Sequence, residues 1–214
     1  MSSAVPQPAS APGATTSPPG RRERRKQEVR QRVLDAAIAL GVERGWDTTT
    51  MDAIADRADV ARATVFNHFP KKDDVVQAWT ERREAEAQAH LAAGRIPTTD
   101  LTVELGATHD RLADFNERSW SESRAYAVAW AQSSTPLSLE PLVSEVYIPI
   151  LERHGDELRP GLDLGDAARV LRACYFDALA RWVEGDEAQT GPAFSLRAAL
   201  RSAQEIVLGG IKAP

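Results

Sequence analysis

Between Pro19 and Pro70 the chain has no proline, and apolar residues recur there at three- and four-residue spacing. Val29, Val33, Ala37 and Leu40, with Leu34 and Ile38 alongside, make one apolar face over about 27–43, the repeat of an amphipathic helix. Gly45 is a stop signal, with Trp46 a core anchor beyond it. A short second helix begins near Thr49 or Thr50, either of which can cap it, and Asp52 lies three residues after Thr49. Its inward face is Met51, Ile54, Ala55 and Ala58. Residues 61–69 predict a third helix with Val65 and Phe69 inward, ended by Pro70. A fourth opens at Lys72-Asp73-Asp74 and runs to about Ala93, closed by Gly94 and Pro97.

Beyond Pro97 the pattern stays helical, over roughly 101–119, 122–133, 139–154, 165–184 and 194–209, with Pro and Gly between the segments. Pro149 falls inside the third of these and predicts a kink. Alternating patterns with hairpin turns are absent. The fold class is all-α: a three-helix N-terminal unit followed by a larger helical domain.

Charge changes this picture when it is resolved along the chain. The 214 residues carry 26 Lys+Arg against 31 Asp+Glu, a net −5, which argues against a protein that coats nucleic acid with its whole surface. Residues 21–32, however, hold seven basic and two acidic side chains. Residues 1–20 carry no charged side chain and five prolines, so they read as a disordered tail. No apolar run reaches the length of a membrane span, and the tail lacks the charged start and apolar run of a signal peptide. One cysteine, Cys174, excludes a disulfide framework and suits a reducing compartment. The four histidines lie far apart, with no HExxH-type spacing, and no phosphate-cradling glycine loop exists. The chain therefore reads as no enzyme, with no metal site and no cofactor.

Two short helices behind a longer supporting one form the outline of a helix-turn-helix. Ala55 and Ala58 give the close-packed face, Asp59-Val60 the turn. Arg62, Thr64, Asn67 and His68 are the polar positions of the second short helix. The run Gly45-Trp46, Thr49-Thr50-Met51, Ile54-Ala55, Ala58, Val60 and Thr64-Val65-Phe66-Asn67-His68-Phe69-Pro70-Lys71-Lys72-Asp73-Asp74-Val75 resembles the DNA-binding domain of the TetR family of bacterial transcriptional regulators. The resemblance covers about 27–75, while the C-terminal half is similar in length and helical layout only.

The resemblance implies a division into a tail (1–20), a DNA-binding domain with a basic N-terminal arm (21–72) and a ligand-binding and dimerisation domain (73–214). It implies a homodimer on palindromic double-stranded operator DNA, most simply a repressor released by a small-molecule effector, with no membrane partner. The expected location is the cytoplasm, on the nucleoid when DNA-bound. It places Thr49 or Thr50 at a phosphate, Arg62, Thr64, Asn67 and His68 at the major groove or its flanking phosphates, and Lys72 at a phosphate by the start of the fourth helix. Arg24, Arg25 and Lys26 become an arm along phosphates or in the minor groove. Three positions depart from the family pattern: Asp59 stands where Gly is usual, Ala61 where a Ser cap is usual, and Phe66 where Tyr is usual. The alanine forfeits about 1 kcal/mol of capping.

In the C-terminal half, Leu171, Tyr175, Leu179 and Trp182 line one broad apolar stripe, and Leu196, Leu200, Ala203 and Val207 another. A face this wide can bury itself within one chain; by resemblance it is the dimer interface. His109, Phe115, Trp120, Tyr126, Trp130, Tyr147 and Tyr175 are candidate walls of a ligand pocket, since large aromatics beside small residues can enclose a cavity. Arg111, Asn116 and Arg124 are possible polar anchors.

Overall fold

The computed structural model describes residues 20–94, 98–134, 142–185 and 190–213; the expected tail, 1–20, lies outside these except for its last residue. The helices predicted from periodicity are present, that over 139–154 only in part. They are α1 (Arg21–Arg44), α2 (Met51–Ala58), α3 (Arg62–His68), α4 (Lys72–Ala93), α5 (Leu101–Glu117), α6 (Trp120–Ala131), α7 (Ile148–Arg153), α8 (Leu164–Glu184) and α9 (Leu196–Ile211).

Local chemistry sets the boundaries. Thr50, not Thr49, caps α2, its hydroxyl accepting from the Ala53 N–H at 3.1 Å. Thr49 is buried and donates to the Gly45 carbonyl instead. Gly45 ends α1 at φ 87°, where an added Cβ would come within 2.7 Å of the Asp47 carboxylate. Asp59 adopts the left-handed conformation expected of a glycine, φ 52° and ψ 53°, one of the few side chains that do so at low cost. Asp100, Ser119, Asp163 and Ser195 cap α5, α6, α8 and α9 by side-chain oxygen, which removes orphan donors at four helix starts.

Two boundaries differ from the sequence pattern. Helix α1 starts at Arg21, six residues before its apolar stripe, because Arg, Lys, Gln and Glu are good helix formers even without a buried face. The expected helix over 139–154 is a π-helical turn (Leu142–Tyr147) followed by α7, with 139–141 outside the described residues. Pro149 lies in the first turn of α7, where its missing N–H leaves no bond unmade. The helix passes from π to α at Ile148, just before the proline.

Three buried clusters organise the chain. The first joins α1, α2 and α3 to the start of α4 and the inner face of α6, around Val33, Ile54, Val65, Phe69 and Trp79. The second holds Leu101, Leu105, Tyr147, Leu151 and Leu171 between α5, α7, α8 and α9. The third, around Leu112, Trp182, Leu196 and Leu200, closes the opposite end of the same bundle. The first cluster does not stop at residue 72: Val75, Val76, Ala78 and Trp79 of α4 are inside it, so one continuous helix belongs to both halves of the molecule. Among the described residues no helix is long and apolar enough to cross a membrane.

Candidate nucleic-acid interface

Helix α3 is held from below by Val65 and Phe69, both fully buried. That anchoring fixes which side chains face outward. Arg62 and Asn67 are exposed, and Thr64 and His68 are half-buried. The Arg62 guanidinium is paired with the Asp52 carboxylate of α2 at 2.8 Å and lies 5.4 Å from the Phe66 ring centroid, so it is held in place by an exposed partner that can be exchanged. Ala61 precedes α3 with no side-chain cap.

The far end of α3 lies in positive potential. Arg30 stacks over Phe69, 4.3 Å from the ring centroid, and reaches the His68 carbonyl at 3.5 Å. Burial, then the charges of Lys26 and Arg30, hold the His68 imidazole below the usual histidine range. Arg24, Arg25 and Lys26 are exposed, but they lie in the first turns of α1. They form a rigid helical ridge where an arm was expected.

Two expected phosphate contacts are occupied by the fold itself. Thr49 is spent on Gly45, leaving Thr50 exposed at the start of α2. Lys72 turns inward: its ammonium donates to the Trp46 carbonyl at 2.5 Å and sits 4.6 Å from the Trp46 ring centroid. The neighbouring Lys71 is exposed, with its N–H donated to Asp74. Lys71 and Arg30 are cations the sequence pattern did not single out; Lys71 was legible as the residue just before the helix start.

The C-terminal half holds a half-open cavity of about 370 Å³ between α4, α5, α6 and α8. Of the expected wall residues, Phe115, Tyr126, Trp130 and Tyr175 line it. The other three lie elsewhere. Tyr147 is in the second cluster, and His109 is bonded to Gln204 at 2.9 Å and to the Tyr147 hydroxyl at 3.1 Å. Trp120 donates its N–H to the Trp182 carbonyl at 3.1 Å. Of the possible polar anchors Asn116 lines the cavity, whereas Arg111 reaches the Gly94 carbonyl and Arg124 stacks on Trp120. Sequence pattern missed Arg83, which lines the wall from α4. Among the described residues no cluster of three or more His, Cys, Asp or Glu could hold a metal.

The stripes expected at a dimer interface mostly close on their own chain. Leu171, Tyr175, Trp182, Leu196, Leu200 and Val207 are buried within the single protomer, and Leu179 lines the cavity; Ala203 is half-buried. The outward positions are different ones, Val170 at 49% exposure on α8 and Ile206 at 76% on α9.

Comparison with known proteins agrees with this layout. The family model "Bacterial regulatory proteins, tetR family" matches residues 33–79, the segment of α1 to α4 just described. The chain is 27% identical over 163 residues to the HTH-type transcriptional repressor KstR of Mycobacterium tuberculosis, covering 74% of this chain and 72% of the relative. Among solved structures it is similar to Thermus thermophilus FadR, a transcriptional repressor in complex with lauroyl-CoA, with a TM-score of 0.55, 26% identity and coverage of 85% and 94%. A structure described as the molecular basis for control of antibiotic production by bacterial hormones matches with a TM-score of 0.66 at 21% identity, covering 87% of this chain and 98% of the other. A helix-turn-helix head matched by the family model, and relatives that follow the chain well into its second domain, lead to one conclusion: residues 33–79 form a DNA-binding domain of the TetR family of bacterial transcriptional regulators, and the chain as a whole is similar to repressors of this kind.

Proposed function

We propose that the protein is a homodimeric repressor that binds a palindromic operator and leaves it when a small molecule fills the cavity. One observation carries this reading: α4 contributes Lys72 to the base of the reading head and Arg83 to the cavity wall, so a ligand and the head share one rigid element. The names of the similar KstR and FadR, both repressors, support the direction of control, and the lauroyl-CoA bound to FadR supports a small-molecule effector.

Arg62 and Asn67 of α3 read bases, and Thr64 and His68 lie at the groove edge. Thr50, Lys71 and the α1 ridge of Arg24, Arg25 and Lys26 meet phosphates, the sequence-independent part of the affinity. Two copies join through the outward faces of α8 and α9 around Val170 and Ile206. Two-fold symmetry then sets two α3 helices on half-sites about 34 Å apart.

Fluorescence anisotropy with DNA from upstream of the protein's own gene tests the reading. The expected result is salt-sensitive binding that prefers this DNA over scrambled duplex by at least ten-fold. Equal binding to both duplexes, or none, overturns it.

A further inference from the structure

The cavity is apolar nearly everywhere except at one end, where Arg83 enters from α4. Its side chain is 11% exposed. The guanidinium lies between two rings, 5.1 Å from the Phe115 centroid and 5.0 Å from that of Tyr126. It donates to the Asn116 amide oxygen at 3.2 Å and the Ser123 hydroxyl at 3.3 Å, both neutral. The Glu122 carboxylate forms an ion pair with it at 3.5 Å, longer than a good hydrogen bond, so an incoming carboxylate competes with a weak partner.

One more donor on this wall has capacity to spare. The Tyr175 hydroxyl accepts from the Asn116 amide at 3.1 Å, and its own proton has no acceptor among the described residues. A buried donor left unmade is costly, so it marks a place where an incoming acceptor gains more than it would in water. The acidic lining residue, Glu84, is pushed towards its neutral form by burial and by Glu81. The wall is therefore rich in donors and holds a cation set among aromatic faces.

We propose that the cavity binds a hydrophobic monocarboxylic acid, its carboxylate on Arg83 and its apolar body among Phe115, Trp130, Phe176 and Leu179. This rests on the reading of the cavity as the effector site and names the chemistry of that effector. A carboxylate accepts two parallel bonds from one guanidinium. A neutral head forfeits the charge, and a cationic head meets Arg83 directly. The volume of about 370 Å³ equals roughly a dozen water volumes at ~30 Å³ each. An acid of about that many non-hydrogen atoms fits within it.

Calorimetric titration of the full chain with decanoate, decanamide, decylamine and decanoyl-CoA tests this, since the first three differ only at the head. Decanoate is expected to bind at least ten-fold more tightly than each of the others. Arg83→Met is expected to lose ten-fold or more for decanoate and less than two-fold for decanamide, with Arg83→Lys between the two. Tyr175→Phe removes only a hydroxyl and is expected to weaken decanoate two- to five-fold, a check that stands if Arg83→Met fails to fold. Equal or tighter binding of decanamide, decylamine or decanoyl-CoA, or binding of none of the four, overturns the proposal. Operator binding measured on the same preparation separates the two readings: its persistence without acid binding defeats the ligand class alone, and its absence defeats the regulator.

Discussion

Lys72 and Trp46 meet where α4 begins, the ammonium donating to the Trp46 carbonyl at 2.5 Å while lying 4.6 Å from its ring centroid. The contact joins residues 26 apart in sequence and fixes the end of α4 to the loop that follows α1. Burial holds the Lys72 ammonium below the usual lysine range, with Asp47 opposing that shift. Lys72→Ala is expected to destabilise the chain by about 1–2 kcal/mol, combining one hydrogen bond and one cation–π contact. Urea unfolding followed by circular dichroism measures this. Unchanged stability, with a salt slope for DNA binding that is shallower by about one unit, would show Lys72 to be a phosphate contact instead.

Arg62 and Asp52 give the next expectation. Their 2.8 Å pair is exposed, so its own worth to stability is small. Arg62→Ala is expected to leave the melting temperature within a degree or two and to cost about 1–3 kcal/mol on the preferred operator. Asp52→Asn releases Arg62 and removes an acid from the reading face, so binding to scrambled duplex is expected to tighten several-fold at low salt. Anisotropy titrations of both variants decide it.

Ile206 and Leu200 lie on the same helix and should behave as opposites. Leu200 is buried in its own protomer and Ile206 faces outward. Leu200→Ala is expected to cost about 2–5 kcal/mol of stability, as for other buried leucines. Ile206→Asp is expected to halve the mass seen by light scattering while leaving the helical content intact. A dimer that survives Ile206→Asp and a Val170→Asp partner places the interface elsewhere.

Stability should fall with acid in two steps. Burial holds the His109 imidazole below its ordinary 6.5, outweighing the Gln204 bond and the Asp110 charge. The folded chain thus refuses a proton that the unfolded chain takes, and stability present above pH 6.5 drains away as the pH falls below it. At Glu104 burial acts to raise the carboxyl, but the bonds from Arg153 and His154 outweigh it and leave it below 4.5. Its contribution is complete above pH 4.5 and is lost as the pH falls through the lower folded value. Urea midpoints between pH 7.5 and 3.5 should show both limbs. His109→Gln is expected to flatten the first and Glu104→Gln the second.

Much of this was legible in the sequence because it is local. The apolar spacings of α1 to α9, the stop at Gly45 and the left-handed Asp59 each depend on a few neighbouring residues. What was not legible depends on distant ones. The inward turn of Lys72 needs Trp46, and the exclusion of His109 and Tyr147 from the cavity follows from their bonds to each other and to Gln204. The broad stripes of α8 and α9 told that these faces are buried but not against what, since one chain and two satisfy the same pattern. Arg83 was hidden for a similar reason: a charged residue on an amphipathic helix reads as solvated until Phe115 and Tyr126 are seen on either side of it.

The continuity of α4 through both halves sets a scale for transmission. Arg83 lies eleven positions beyond Lys72 on one unbroken helix, about 16 Å along its axis at 1.5 Å per residue. Pivoted near Arg83, a tilt of about 5° becomes roughly 1.4 Å at Lys72 over that arm, where the Trp46 contact joins the helix to the head. A half-site spacing fixed by the pitch of DNA is sensitive to displacements of that size when two copies move in opposite directions. An angular change too small to disturb the packing of the cavity is thus enough to spoil the register of two reading helices.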